Sequence, residues 1–411
     1  MTHPIRILLF STLYPSAVRP SHGIFVETRL RELIKTGEVE TRVVAPVPWF
    51  PLRSRIFGTY GKMAATPQYE VRNGIEVHHP RYLLPPKVGM AIAPNMLAQG
   101  ALPTVRRLIA EGFDFDLLDA HYYYPDGVAA AKIARVLRKP FVVTARGTDL
   151  NLIANYAGPR RRILATAAQA AASIGVSHAL IERLSDLGAD RDKLHVLRNG
   201  VDSDRFRPIA RDVAYQRLGF DSVAQSAGKI ILSVGNLIER KGHHIAVEAL
   251  TLLPPASRLV IVGEGGLRRA LVRQAQELGV DDRVTFAGAV PQTELKYWYS
   301  AADVLVLCSS SEGWANVLLE AMACGTPVVA TNVGGNAEVV SKPEAGCLMR
   351  ERSATALVQS LVRLFADYPE REAVRRYALD FSWQATTQGQ LDLFRKILDG
   401  RADEDVSKDI Q

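Results

Sequence analysis

The sequence predicts an α/β protein built from two doubly wound halves. Short apolar runs alternate with amphipathic stretches of helical period along most of the chain. The 411 residues suffice for two domains, each with its own core. A Gly/Asp/Pro-bearing join at 198–208 (RNGVDSDRFRP) separates two apolar runs near the middle. In the first half the strand-like runs are 5–10, 41–45, 117–121, 141–144, 172–176 and 194–197, with helices at 25–35, 128–137 and 160–171. In the second half the runs are 229–234, 258–262, 284–287, 303–307 and 326–330, with helices at 242–253, 267–277 and 317–323. Strands alternating with helices imply parallel sheets covered on both faces. Residues 46–100 break the pattern with many prolines and an apolar cluster, Pro48, Trp49, Phe50 and Pro51, followed by Arg53 and Arg55. Such a knob suits an anionic membrane surface or a lipid-linked substrate; the other reading packs Trp49 and Phe50 on their own domain.

Composition removes several classes. A chain that is 47% hydrophobic and 23% charged is neither disordered nor fibrous. Three cysteines, Cys308, Cys324 and Cys347, make no disulfide framework and have no neighbour at metal-ligand spacing, which points to a reducing compartment. The start MTHPIRILLFS has no signal-peptide pattern, and no apolar run approaches a membrane span, so a cytoplasmic location is expected. Residues 1–207 hold 28 Lys and Arg against 18 Asp and Glu, net +10; residues 208–411 hold 22 against 25, net −3. A basic half fits an anionic membrane surface or a phosphorylated substrate. No nucleic-acid signature accompanies the charge, so nucleic acid is not an expected partner.

The most informative segment is 309–335, SSSEGWANVLLEAMACGTPVVATNVGG. A strand ends near Cys308, a turn carries 309–313, and a helix starts at Ala315 or Asn316. Free N–H groups at such a start form an anion site. Glu312 in the turn and Glu320 in the helix flank it, placed to accept hydrogen bonds from hydroxyls on either side of a phosphate. Cys324-Gly325-Thr326-Pro327 then closes the helix and feeds the next strand. A second segment, SVGNLIERKG ending at Gly242, sets cations after a Gly-ended strand, where a departing diphosphate would gather charge.

The string from Glu312 through Glu320 to AMACGTPVVAT resembles the retaining glycosyltransferases of the GT-B fold, the family 4 group. The resemblance implies two Rossmann-like domains facing a central cleft. It places Glu312 at the donor sugar and Glu320 at the nucleotide ribose, with Gly313, Trp314 and Ala315 also at the donor and the N–H groups of Asn316 and Val317 at the diphosphate. In similar members the glycine loop has Arg directly after Gly and Lys before the second Gly. Lys241 matches the Lys, Asn236 stands where the Arg would be, and Arg240 is the candidate replacement. LVIVGEG (259–265), FAGAV (286–290) and YWYSAADVLVLCSS (297–310) look like donor-domain strands, with base contacts implied near Gly288 and Val290. FSW (381–383) and the amphipathic stretch to Leu398 resemble a terminal helix that crosses back to the first domain. The implied domains are 1–200 for the acceptor, 201–375 for the nucleotide-sugar, 376–400 for that helix, and a polar, frayed tail at 401–411.

In the first half the implied site residues are fewer. Gly23, after His22, lies where the family's Gly-rich loop meets the diphosphate. His121 ends the strand LLDAH, where open parallel sheets bind ligands, and in the family a His there lies near the donor sugar. Arg146, in TARGTDLN, stands where members usually carry His; it is a candidate for an anionic acceptor, with Asp149, or simply a partner of Asp149. Glu338, after Gly334-Gly335, is a further candidate.

The three Asp-x-Asp spacings, 114/116, 202/204 and 403/405, are not placed to hold a nucleotide-bound metal, and no zinc cluster, Walker loop or G-x-G-x-x-G is present. The expected activity is therefore a cofactor-free, metal-independent, retaining transfer from a UDP- or GDP-linked sugar to a glycan or lipid-linked acceptor, at the inner membrane face. Nothing supplies the nucleophile of a carboxylate pair, so front-face transfer is expected, with Lys241 and Arg240 on the leaving group and His121 orienting the sugar. The competing readings are a nucleotide-sugar epimerase of the same fold and a non-catalytic sugar-nucleotide-binding protein.

Overall fold

The computed structural model describes residues 3–52, 56, 58–84, 89–220 and 228–409, with side chains to residue 400. Arg53, Arg55 and the end of the tail lie outside the described residues, as do the side chains of Asp403 and Asp405. The chain divides into two compact units. One runs to Arg198 and resumes at Gln384, and the other is Asn199–Trp383.

The first unit holds an eight-stranded sheet: β1 (Ile5–Phe10), β2 (Val39–Val44), β3 (Tyr69–Arg72), β4 (Ile75–His78), β5 (Leu117–His121), β6 (Phe141–Ala145), β7 (Ala172–Gly175) and β8 (Leu194–Val196). Their order across the sheet is β8-β7-β6-β5-β1-β2-β4-β3. Every pairing is parallel except β3 with β4, an antiparallel hairpin at the edge. That hairpin, and the helix Gly89–Ala110, occupy the stretch where the sequence pattern fails. The reason is local. Tyr69–Arg72 alternates exposed and half-buried residues, as an edge strand open to water does, and Pro94 and Pro103 interrupt the helical pattern without ending the helix.

The C-terminal helix Trp383–Asp409 lays Leu391, Leu393 and Phe394 into the core formed by Ile7, Leu117, Val142 and Ile174. It runs well past Leu398, so the backbone that the sequence read as a frayed tail is helical to Asp409.

The second unit holds β9 (Ile230–Val234), β10 (Arg258–Val262), β11 (Val284–Gly288), β12 (Val304–Leu307), β13 (Val328–Thr331) and β14 (Gly346–Met349), ordered β11-β10-β9-β12-β13-β14 and all parallel. This is the doubly wound order in which strand direction of travel reverses between the first and fourth strands, β9 and β12. Open α/β sheets bind ligands outside the carboxyl ends at that point. In the first unit the same reversal lies between β1 and β5. Four loops are singled out in this way: those after β9 and β12, and those after β1 and β5. No helix among the described residues is long and apolar enough to cross a membrane.

Candidate active site

In the second unit two glycines bring the switch-point loops together. Gly242 takes a left-handed conformation (φ 69°), and a Cβ there would sit 2.0 Å from the Cys308 carbonyl oxygen. The loop after β9 can therefore press against the end of β12, where the Ser310 N–H donates to the Arg240 carbonyl at 2.8 Å. Gly334 does the same from the other side, its missing Cβ leaving room for the Glu312 carbonyl, 1.9 Å from where it would lie.

Glu312 is held between these loops and is buried. Its Oε1 accepts from Lys241 Nζ at 2.6 Å and from Ser309 Oγ at 2.6 Å, and Arg240 Nη1 lies 3.4 Å from Oε2. Burial would raise its pKa, but Lys241 and Arg240 outweigh that and hold it below the ordinary glutamate value. Arg240 Nη1 also donates to the Ser311 carbonyl at 2.7 Å. Both cations after β9 thus converge on the turn before the helix Asn316–Ala323, whose start has no side-chain cap. Asn236 is not part of this group: it is exposed on the same loop, and its carbonyl faces His243 Nε2 at 3.3 Å.

Glu320 is buried one helix turn further on. Tyr299, fully buried, donates its hydroxyl to Oε2 at 2.7 Å, and Gln292, itself bonded to Arg205, also hydrogen-bonds the carboxyl group. Burial pushes the Glu320 pKa up to about 7 against those donors and Arg205. Trp314 is buried, its ring 6.0 Å from that of Phe381, and Asn316 Oδ1 accepts from Asn199 Nδ2 at 3.2 Å. Gly288 (φ 75°) accepts from the Gly263 N–H at 2.8 Å; Val290 and Glu338 are half-buried. Ser309 and Tyr299 were not singled out from the sequence. Ser309 stands three residues before Glu312 in an S-x-x-E spacing that signals mutual hydrogen bonding near a helix start, whereas nothing local marks Tyr299.

In the first unit the carboxyl ends of β1, β5 and β6 carry a buried polar group. His121 is 1% exposed. Its Nε2 lies 3.2 Å from Asp119 Oδ2, and its Nδ1 meets the Arg146 guanidinium. Burial pushes its pKa down to about 4, with Asp119 opposing. Both ring nitrogens of His121 are thus engaged within the protein. Asp149 lies in the short helix Thr148–Asn151. It is fully buried, and its carboxylate accepts from the backbone N–H groups of Tyr123, Arg146 and Gly147, which shapes the turn after β6. The Arg146 side chain reaches His121 and lies over the Phe25 ring at 5.2 Å.

Gly23 (φ 67°) starts the helix Ile24–Ile34 so close to Leu13 that a Cβ would meet its carbonyl oxygen at 2.3 Å. Asp126, buried and raised to about 7 by burial, takes the Thr12 N–H at 2.6 Å and fixes the loop after β1. Trp49 is half-exposed, its N–H donating to the Tyr82 carbonyl, while the Phe50 ring lies 5.6 Å from that of Tyr60. Of the Asp-x-Asp residues, Asp116 accepts from the Arg6 N–H, Asp114 pairs with Lys139, and Asp202 accepts from the Arg205 N–H. No group of three or more metal-ligating side chains occurs among the described residues.

Residues 23–205 match the family model for Glycosyltransferase Family 4, and residues 217–381 that for Glycosyl transferases group 1. The chain is 30% identical over 394 residues to TuaC of Bacillus subtilis, a glycosyltransferase provisionally assigned to teichuronic acid biosynthesis, covering 94% of this chain and 95% of that protein. It is 35% identical over 314 residues to a D-inositol 3-phosphate glycosyltransferase of Frankia alni, covering 69% of this chain and 75% of the relative. Among solved structures, a sucrose-phosphate synthase from Thermosynechococcus elongatus superposes with a TM-score of 0.78 at 21% identity, covering 97% of this chain and 100% of that one. HepE of Anabaena, in complex with UDP and glucose, superposes with a TM-score of 0.71 at 20% identity, covering 96% and 100%. The fold and the full-length relationship together make this chain a member of the family 4 glycosyltransferases of the GT-B fold.

Proposed function

We propose that the chain transfers a sugar from a UDP- or GDP-linked donor to a hydroxyl of a glycan or lipid-linked acceptor, with retention of configuration and without a metal ion or cofactor. The observation that carries this reading is the convergence of Lys241 and Arg240 on Glu312 at an uncapped helix start. In it, the two cations and the N–H groups of Asn316 and Val317 receive the leaving diphosphate. Two side-chain charges and a helix start then do what a divalent ion does elsewhere. Glu320 accepts from the ribose hydroxyls and Glu312 from a sugar hydroxyl.

Retention is assigned to front-face transfer, because the Glu312 carboxylate is taken up by Lys241 and Ser309 rather than offered as a nucleophile. A trapped covalent glycosyl-enzyme would overturn that assignment. The UDP in the Anabaena neighbour's structure and the glycan and phosphoinositol chemistry in the relatives' names agree with such a donor and with an anionic acceptor. The net +10 of residues 1–207 and the half-exposed Trp49 support work at the cytoplasmic face of an anionic membrane in cell-surface glycan assembly.

The test is calorimetric titration with UDP, GDP and ADP, with EDTA and again with magnesium, beside Glu320→Ala. One nucleotide binding equally with and without magnesium, and weakened in the variant, is the expected result. Absence of binding by all three removes the donor reading.

A further inference from the structure

The C-terminal helix buries a polar side chain, Gln390, within its apolar stripe. Gln390 is 2% exposed, beside Leu391 and Phe394, which pack in the first unit's core. Its Oε1 accepts from Arg29 Nε at 2.8 Å, and its Nε2 donates to Asp119 Oδ2 at 3.1 Å. Asp119 Oδ2 also faces His121 Nε2 at 3.2 Å, and His121 Nδ1 meets the Arg146 guanidinium. Arg29 Nη1 is tied in turn to the Leu197 carbonyl at 3.0 Å. Four side chains therefore lead from the C-terminal helix to Arg146 at the carboxyl edge of β6.

The chemistry of each contact has one direction. A guanidinium only donates, so His121 Nδ1 must be its acceptor. The ring proton then sits on Nε2, which suits the acceptor Asp119. The neutral amide of Gln390 accepts from Arg29 through its oxygen and donates to Asp119 through its nitrogen, which neither a carboxylate nor an ammonium could do together. Burying such an array costs more than filling the space with leucine. Its His121–Arg146 end lies at the carboxyl ends of β5 and β6, next to the switch point between β1 and β5, where a ligand would repay that cost.

We propose that Gln390 is a positioning residue of the first unit's site: through Asp119 it sets the His121 tautomer, and the Nδ1 lone pair so directed holds the Arg146 guanidinium for an anionic group of the substrate. The last step rests on the glycosyltransferase reading above; the tautomer does not. The groups facing His121 are Asp119 from its own strand, Arg146 from the end of β6 and Arg29 from the helix Ile24–Ile34.

The experiment is long-range proton–nitrogen NMR of the full chain with labelled histidine, on wild type, Gln390→Met and Gln390→Glu. Met keeps the volume and loses both hydrogen bonds, while Glu keeps the bond from Arg29 and sets a second acceptor against Asp119. In the wild type, His121 is expected as a single Nε2–H tautomer that stays neutral until the pH falls toward about 4. Both variants are expected to show mixed tautomers and kcat/KM lowered on the order of 10–100-fold, as for a group displaced by about 1 Å. A folded Gln390→Met with an unchanged His121 spectrum overturns the proposal. If the Met variant does not fold, Gln390→Glu alone decides, by the same spectrum. A chain that transfers no sugar but shows the tautomer change would sink the functional reading and leave the positioning role standing.

Discussion

Glu312→Gln separates the charge of the candidate site from its shape. The carboxylate neutralises Lys241 at 2.6 Å and Arg240 at 3.4 Å. A diphosphate at the helix start would lie roughly 6 Å from it, where two unit charges at an effective dielectric of ~20 repel by about 3 kcal/mol. The Lys241 and Arg240 side chains are 15% and 33% exposed. Water and salt therefore cut the gain on removing that repulsion to about 1–2 kcal/mol. The variant should bind its nucleoside diphosphate roughly 5–30-fold more tightly, while turnover falls on the order of 100-fold with the loss of the sugar contact.

Stability should move the other way. Losing two charged hydrogen bonds to a buried acceptor costs about 1–3 kcal/mol and lowers Tm by about 2–8 °C. The acid limb follows from the pKa. The Glu312 value is lowered in the folded state, so its contribution is full above the unfolded value of 4.5 and is lost as pH falls through the folded value. Glu312→Gln should lack that limb. Calorimetric titration, steady-state kinetics and thermal scans from pH 3 to 8 give the three readings. Weaker nucleotide binding with an unchanged Tm would refute the idea that this carboxylate restrains the two cations.

Three further outcomes are expected. Tyr299→Phe removes a donor to Glu320, whose burial already lifts its pKa to about 7; nucleotide binding, which needs the ionised acceptor, should then set in at higher pH than in wild type, and an unmoved pH profile would count against the ribose role. Gly242→Ala adds a clash with the Cys308 carbonyl to left-handed strain and should cost about 2–4 kcal/mol in urea denaturation; Gly279→Ala, with φ 65° but open space around it, should cost only about 1 kcal/mol, and equal losses would dismiss the clash. Replacing Trp49 and Phe50 together by Ser should weaken sedimentation with vesicles containing anionic lipid, and unchanged sedimentation would remove the membrane part of the reading.

Much of the architecture was legible because parallel strands buried on both faces are mostly apolar along their length. The runs at 5–10, 117–121 and 258–262 coincide with β1, β5 and β10 for that reason. The edge hairpin β3–β4 was not legible, since an edge strand half in water alternates too weakly to stand out from a Pro-rich stretch. The length of the C-terminal helix was missed because its last turns carry no apolar periodicity to read.

The site divides in the same way. Glu312, Lys241, Glu320 and the helix start at Asn316 lie within local strings whose turn and capping chemistry can be read along the chain. The strands, the loops that leave them and the charged residues those loops carry can therefore be read along the chain. Which of these residues meet depends on the packing of distant elements. Arg240 rather than Asn236 joins Lys241 at Glu312, and Gln390 reaches Asp119 across 271 positions. His121 is turned inward by partners from β5 and β6. Hydrogen bonds and ion pairs depend on ångström distances between side chains far apart in the chain. Those distances are set by how two or three elements pack, and no local pattern records them.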